Sequence, residues 1–360
     1  MTTKEDARER IETLRQEISR HDYLYYVKNE PEVSDETYDE LFAELERLED
    51  AHPDLVTPDS PTQRVGAEPE SELARVEHVT PMLSLDAVGD EAGVRDFLDR
   101  IAEETGLDEP MLVSEPKFDG VSVEVVYEDG RFRRASTRGN GEVGEDISHT
   151  LKTVRSLPLR LITDDGVPER LAVRGEALMP RDSFQAVNKA RVERGEEPFA
   201  NPRNAAAGIL RRLDPAAAAG VTFDVTFYAA TGLEDEGIST QWELLNRLEA
   251  LGLKVGERKA RCRSLDGARE FHTALEEKRD DLPYEVDGIV LKLDDLAARE
   301  TLGTRARSPR WALAWKFAPR KEVTHIADIA ISVGRTGALT PIALLDPVDI
   351  GGVTVARATL

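Results

Sequence analysis

Residues 111–137 read MLVSEPKFDGVSVEVVYEDGRFRRAST. They divide into three short runs, MLVSEPKF, VSVEVVY and RFRRAST, and Asp129-Gly130 joins the last two. An Asp-Gly pair between two alternating runs is a strong hairpin-turn signal. Three more runs of the same kind follow: RLAVRGEALM (170–179), TFDVTFYAA (222–230) and DGIVLKL (287–293). Helical periodicity separates some of them, near 90–105, 182–194, 240–251 and 266–279. Strands outnumber crossover helices. This predicts an α+β domain with antiparallel sheets over residues 67–320 in preference to a doubly wound parallel fold.

Upstream, Ile11, Leu14, Ile18 and Tyr25 recur at helical spacing over residues 4–28, and Pro31 stops that element. A second helix is expected from Ser34 as N-cap, with Tyr38, Leu41, Leu45 and Leu48 on one face and its end before Pro53. The pair makes a helical hairpin over residues 1–66, too small to be a catalytic domain. The stretch PDLVTPDSPTQRVGAEPE (53–70) reads as a linker. Downstream, residues 321–360 read as three short strands split by glycines and prolines. So short a segment cannot make an independent barrel. It is read as the opening of a third domain that the chain does not complete.

Composition limits the function. A 40% hydrophobic content provides material for a core, and global disorder is not expected. No apolar run approaches the roughly 20 residues of a membrane-spanning helix. The charged start MTTKEDARERIETL lacks a signal-peptide core, so a cytoplasmic chain is expected. A single cysteine, Cys262, excludes a disulfide framework and a four-cysteine zinc site within the chain. The six histidines show no metal-ligand spacing and are given no role. Lys+Arg is 47 against Asp+Glu 70, a formal net charge of -23, with 11 lysines against 36 arginines. That charge repels nucleic acid at long range. It suits an ordinary acidic protein, or a halophile's cytoplasm where a Debye length of roughly 3 Å at 1 M leaves local arginine clusters to decide binding. The halophilic reading is preferred.

Against this background the lysines are informative. Lys117 lies between Glu115 and the Asp119-Gly120 turn. On a surface it would be a solvated turn residue, whereas in a pocket a lysine that loses its proton becomes a nucleophile. Lys292 sits in the apolar run DGIVLK and Lys316 between the aromatics of WALAWKF. Buried cations are costly unless an anion meets them. A polyphosphate or diphosphate held by Lys292 and Lys316 is the simplest reading, and their charges would lower the pKa of a neighbouring Lys117. Arg174-Gly175-Glu176 closes an apolar strand with a carboxylate suited to a ribose hydroxyl. Thr137-Arg138-Gly139-Asn140-Gly141 offers an arginine on a flexible backbone. Asn201-Pro202-Arg203, ahead of Ala205-Ala206-Ala207-Gly208 and Arg211, starts a small-residue helix and reads as an anion site, or as a tightly packed helix with solvated arginines.

Together these segments resemble the NAD-dependent DNA ligase family along essentially the whole chain. The resemblance rests on YLYYV, PEVSDETYDEL, PDSPTQRVG, PMLSL, EPKFDG, TRGNGEVGED, VRGE, FANPRNAAAG, DGIVLK, RWALAWKF and VGRTGALTP in that order. It implies an ATP-grasp-like nucleotidyltransferase (ligase adenylation) domain, preceded by a helical domain and followed by the start of an OB-fold. Lys117 would be the nucleophile that attacks the α-phosphate of NAD, becoming adenylated and releasing nicotinamide mononucleotide. Glu115, Arg138, Glu176 and Lys292 would line the adenine and ribose pocket, with Lys316 at the phosphate and Ser84 and Leu85 along the edge. Asp119 would support the lysine and a Mg²⁺ ion. Tyr25, Asp35, Glu36, Thr37, Tyr38 and Asp39 would hold the nicotinamide half. Asp35 and Asp39, four apart, share one face at the start of a helix, where they also complement its dipole.

Arg203 and Arg211 would meet phosphates of nicked double-stranded DNA, and a monomer is expected. Some family members carry a histidine where this chain has Tyr26, which is read as a stacking residue only. The family's remaining OB barrel, zinc-bearing module, helix-hairpin-helix repeats and BRCT domain do not appear in these residues. Self-adenylation is therefore expected of this chain more than nick sealing. Two other classes share some features: an ATP-using nucleotidyltransferase, which would have no use for the hairpin, and a non-catalytic binding module, which need not keep three costly lysines.

The charge count generates a first prediction. Mutual repulsion at -23 destabilises the compact state at low ionic strength, and screening relieves it. The melting temperature is expected to rise between about 0.1 M and about 2 M KCl. A flat or falling melting temperature contradicts the halophilic reading.

Overall fold

The computed structural model describes residues 4–24, 32–33, 35–64, 73–162, 166–305, 308–318, 321–333, 339–350 and 353–360. Helix α1 (Lys4–Asp22) buries Ile11, Leu14 and Ile18, and α2 (Asp35–Ala51) meets it with Leu45. The periodicity marks this hairpin correctly, although α1 stops at Asp22, and Ser34 and Tyr25 lie outside the described residues. Arg15 and Glu49 form a buried ion pair between the two helices. Arg15 also donates to the Leu55 carbonyl at 2.9 Å, and Glu49 accepts from Ser60 Oγ at 2.7 Å. Residues 53–64 of the expected linker are therefore ordered. They carry 3-10 turns at Pro53–Leu55 and Pro61–Arg64, and Asp59 reaches Arg131 at 2.9 Å. Their polar side chains satisfy buried charges that no local pattern reveals.

The central domain holds strands β1 (Arg75–Glu77), β2 (Ala87–Val88), β3 (Leu112–Phe118), β4 (Val121–Glu128), β5 (Arg131–Thr137) and β6 (Val143–Glu145). It continues with β7 (Arg170–Leu178), β8 (Asp224–Thr231), β9 (Ala260–Cys262), β10 (Val286–Leu293) and β11 (Ala312–Lys316). One sheet runs β2-β11-β10-β3-β9, a second runs β5-β4-β7-β8, and β1 pairs β6. All these ladders are antiparallel except β11 with β2, so the α+β class stands. Asp129 (φ 49°) and Gly130 (φ 73°) both take the left-handed conformation of the expected hairpin turn.

The chain passes from the first sheet to the second directly, β3 leading through Asp119-Gly120 into β4. Each sheet has its own core. Ile289, Leu291, Leu313 and Trp315 pack with Phe97 and Ile101 of the Glu91–Thr105 helix. Val123, Val125 and Tyr127 pack with Ile209, Leu210 and Leu245. Alternation along β3, β10 and β11 thus sends their polar residues to the opposite face, toward the second sheet.

Strands β12 (Ile326–Val333), β13 (Leu339–Ile350) and β14 (Val353–Thr359) form the expected antiparallel three-stranded sheet. Pro341 and Pro347 lie within β13 and do not divide strands as expected. Pro347 falls in the register shift between Leu344 and Val348, where a ladder loses nothing by a missing N–H.

Removing one partner of a buried pair strands the other charge. Glu49→Ala is expected to cost about 3–5 kcal/mol in denaturant unfolding, while Arg15→Met/Glu49→Leu restores most of it. Equal stability of Glu49→Ala and the parent would contradict this.

Candidate active site

Lys117 ends the polar face of β3. Its Nζ donates to both carboxylate oxygens of Asp287, at 2.8 and 3.0 Å. Asp287 sits where the β3–β10 register shifts, just before Gly288. Gly288 is paired with Lys117 on one side and with Lys316 on the other. A Cβ on Gly288 would lie 2.2 Å from the Trp315 carbonyl oxygen, so only glycine lets β11, which carries Lys316, close on β10 here. Lys316 Nζ stands 3.8 Å from the same Asp287 carboxylate. One carboxylate therefore holds two lysines.

The expectation of a buried Lys316 is corrected. Trp315 and Phe317 point into the core, and alternation turns Lys316 the other way, with about half of its side chain exposed. Lys292 is buried, but a protein carboxylate meets it: Nζ pairs with Glu115 at 2.8 Å and donates to the Tyr228 carbonyl at 3.1 Å. The Tyr228 ring lies 5.0 Å away. Gln241 Nε2 donates to Glu115 at 3.1 Å, completing a closed polar floor. Burial pushes the Lys292 amine down and the Tyr228 phenol up.

Glu176 faces this group from within β7, not from its end, and accepts from Ser122 Oγ on β4 at 2.8 Å. Burial pushes its carboxyl up to about 7, against the opposing pull of Ser122, Arg203 and Lys117. Asp119 pairs with Arg203 at 2.8 Å. Arg203 lies in the first turn of the Pro202–Leu210 helix, which Asn201 caps by accepting from the Asn204 N–H. A cleft of about 620 Å³ opens beside the cluster, lined by Ser122, Arg138, Glu145, Arg203 and Arg211 among others. Arg211 pairs with Glu145 at 2.5 Å, and Arg138 reaches Ser84 Oγ at 3.4 Å. Leu85 lies exposed on the same loop as Ser84.

Of the residues expected from the central domain, Arg138, Arg203 and Arg211 line this cleft, while Glu115 pairs with Lys292 and Lys117 and Lys316 share Asp287. The hairpin residues Thr37 and Tyr38 belong to α2, where Tyr38 bonds Asp22 at 2.9 Å. Tyr25 and Tyr26, and the side chains of Asp35, Glu36 and Asp39, lie outside the described residues. No group of three or more His, Cys, Asp or Glu side chains suited to a metal occurs among the described residues. Sequence reasoning gave no role to Asp287, Gln241 or Ser122. Asp287 stood in the quoted DGIVLK motif, but its partner is 170 residues away.

A paired lysine at the junction of two antiparallel sheets, beside an arginine-lined cleft, fits the nucleotidyltransferase fold. Comparison makes the assignment specific. The sequence model of the NAD-dependent DNA ligase adenylation domain matches residues 70–320. The DNA ligase-like N-terminal NAD+-binding domain matches 4–66, and the NAD-dependent DNA ligase OB-fold domain matches 323–360. A DNA ligase of Haloarcula marismortui is 51% identical over 359 residues, 99% of this chain and 51% of its own. One of Halorubrum lacusprofundi is 50% identical, covering 99% and 52%. One of Bacillus licheniformis is 48% identical, covering 99% and 53%. The chain belongs to the NAD-dependent DNA ligase family and spans about half the length of these curated relatives.

The Glu176 carboxyl supplies a stability prediction. Its ordinary value is 4.5 and its folded value about 7, so burial costs nothing while both states are protonated. The cost grows as pH rises from 4.5 through 7. Glu176→Gln is expected to be more stable than the parent at pH 8 by about 3 kcal/mol at most, with the difference vanishing near pH 4.5. A pH-independent difference would contradict the buried, proton-retaining carboxyl.

Proposed function

We propose that this chain is the adenylating core of an NAD-dependent DNA ligase. The observation that carries the reading is the Lys117 amine, three residues before Gly120 of the arginine-lined cleft and fixed by Asp287, with Lys316 on the same carboxylate. Once Nζ has given up a proton, its lone pair attacks the α-phosphorus of NAD. The N–P bond forms, the P–O bond to the bridging oxygen breaks, and nicotinamide mononucleotide leaves with the electron pair. Asp287 orients the amine beforehand. Lys316, half exposed beside Asp287, would meet the negative charge that develops on the phosphate oxygens. AMP would then pass to the 5′-phosphate of a nick, and the 3′-hydroxyl would displace it to seal the strand.

Glu115 and Lys292, already joined, would form a rigid floor for the adenine, while Glu176, Arg138, Ser84 and Leu85 would border the ribose. Tyr25, Asp35, Glu36, Thr37, Tyr38 and Asp39 would take the nicotinamide half. The match of residues 4–66 to an N-terminal NAD+-binding domain supports NAD over ATP. Magnesium is usually bound through one or two carboxylates together with substrate phosphates, a part that Asp119, paired with Arg203 beside the cleft, would play. Bound with the diphosphate, it would neutralise charge there. Arg203 and Arg211, half-exposed at the cleft, would contact phosphates of nicked double-stranded DNA. The working unit is a monomer. No described helix is long and apolar enough to cross a membrane, in keeping with a cytoplasmic location.

The test is intact mass after incubation with NAD and Mg²⁺. The chain is expected to gain one AMP, and none from ATP in parallel. Lys117→Arg should melt as the parent does yet gain nothing, because a guanidinium is not deprotonated in proteins. AMP uptake by folded Lys117→Arg would overturn the mechanism, and equal labelling by ATP would favour the ATP-using class.

A further inference from the structure

We propose that His78 is a positioning residue that sets Arg138 for the nucleotide, through a buried polar chain running from Arg174 on β7 by way of Glu124 on β4. The proposal rests on the functional reading above, in which Arg138 borders the nucleotide.

The His78 side chain has no solvent exposure, and Glu124 beneath it is 1% exposed. His78 Nε2 lies 3.0 Å from the Arg138 carbonyl oxygen. A carbonyl only accepts, so Nε2 carries a proton and donates. Nδ1 faces Glu124 Oε1 at 3.4 Å, and the Val79 N–H donates to that same oxygen at 3.1 Å. Glu124 Oε2 has no hydrogen-bond partner, and Arg174 lies 3.8 Å from it. Burial pushes the Glu124 carboxyl up, but the bonds from His78 and Val79 outweigh it and hold it below the usual range. An ionised carboxylate with one oxygen that makes no hydrogen bond is an expensive thing to bury. Core packing alone would be served better by an apolar pair.

What the cluster holds gives its use. Arg138 is the residue at which the chain leaves β5 for the Gly139-Asn140-Gly141 turn, and its guanidinium borders the cleft. The His78 backbone N–H donates to the Glu142 carbonyl at 2.9 Å, and Met82 N–H donates to Gly141 O at 2.7 Å. His78 thus grips both limbs of the loop, by its ring at Arg138 and by its backbone at Glu142. Arg174 bonds Thr80 two residues further on, which seats the segment leading to Ser84. Arg174 also lies two residues before Glu176 on β7. The chain Arg174–Glu124–His78–Arg138 therefore fixes the distance between the two residues proposed to border the ribose.

The test compares three variants of the full chain in the NAD reaction, reading the rate of AMP uptake against NAD concentration. His78→Gln leaves an amide donor near the Nε2 position, and His78→Asn leaves one near Nδ1. If the Arg138 bond matters, His78→Asn and His78→Ala raise the half-saturating NAD concentration about tenfold, one hydrogen bond's worth. Their maximal rate should stay within about threefold, and His78→Gln, which keeps the bond to Arg138 but loses the one to Glu124, should fall between the parent and His78→Asn. A purely structural histidine would lower stability in all three without ranking Gln above Asn. Asn equal to the parent, or Gln as impaired as Asn, overturns the proposal. If His78→Ala does not fold, the Gln and Asn pair still decides. A parent chain that takes up no AMP overturns the functional reading and this inference with it, whereas an active parent with unchanged half-saturation in His78→Asn overturns the inference alone.

Discussion

The Asp287 carboxylate lies between two lysines, and the site depends on how it is held there. The lysines belong to strands on either side of β10, both in register with Gly288. Any side chain at 288 would drive β11 off β10 and separate Lys316 from Lys117. The ladder therefore determines the electrostatics. Asp287 can serve both amines only because the register shift beside it places its carboxylate over the junction.

The rest of the site follows from strand alternation. On β3, β10 and β11, one face supplies Ile289, Leu291, Leu313 and Trp315 to a dry core. The other presents Glu115, Lys117, Lys292 and Lys316 across to β4 and β7, where Ser122 and Glu176 await them. Lys292 is neutralised within the protein by Glu115, whereas Lys316 is half in solvent. The two therefore differ, one closed off in the floor and the other shared between Asp287 and solvent. The arginines of the cleft stand out against the net charge of -23. In high salt the long-range repulsion is screened and close contacts at the cleft persist.

Much of this was legible in sequence because the strong signals are local. The Asp129-Gly130 turn, the hairpin periodicity and the long strands announce themselves within ten or so residues. Strands β1, β2, β6 and β9, two or three residues each, have no pattern of their own and exist because a neighbour pairs with them. Lys316 was misread as buried because its flanking aromatics, adjacent in sequence, lie on the other side of the sheet. The order in residues 53–64 was missed because it depends on Glu49 and Arg131, which no window over the linker contains. Asp287 and Ser122 are likewise products of tertiary pairing, ordinary until their partners arrive.

In the proposed mechanism Lys117, and neither of its companion lysines, takes up the nucleotide. The most direct measurement is tandem mass spectrometry of peptides from the chain after reaction with NAD and Mg²⁺, under conditions that preserve a phosphoramidate. AMP is expected on the peptide containing Lys117 and on no other. AMP on Lys292 or Lys316, or a chain that remains unlabelled, would contradict the account.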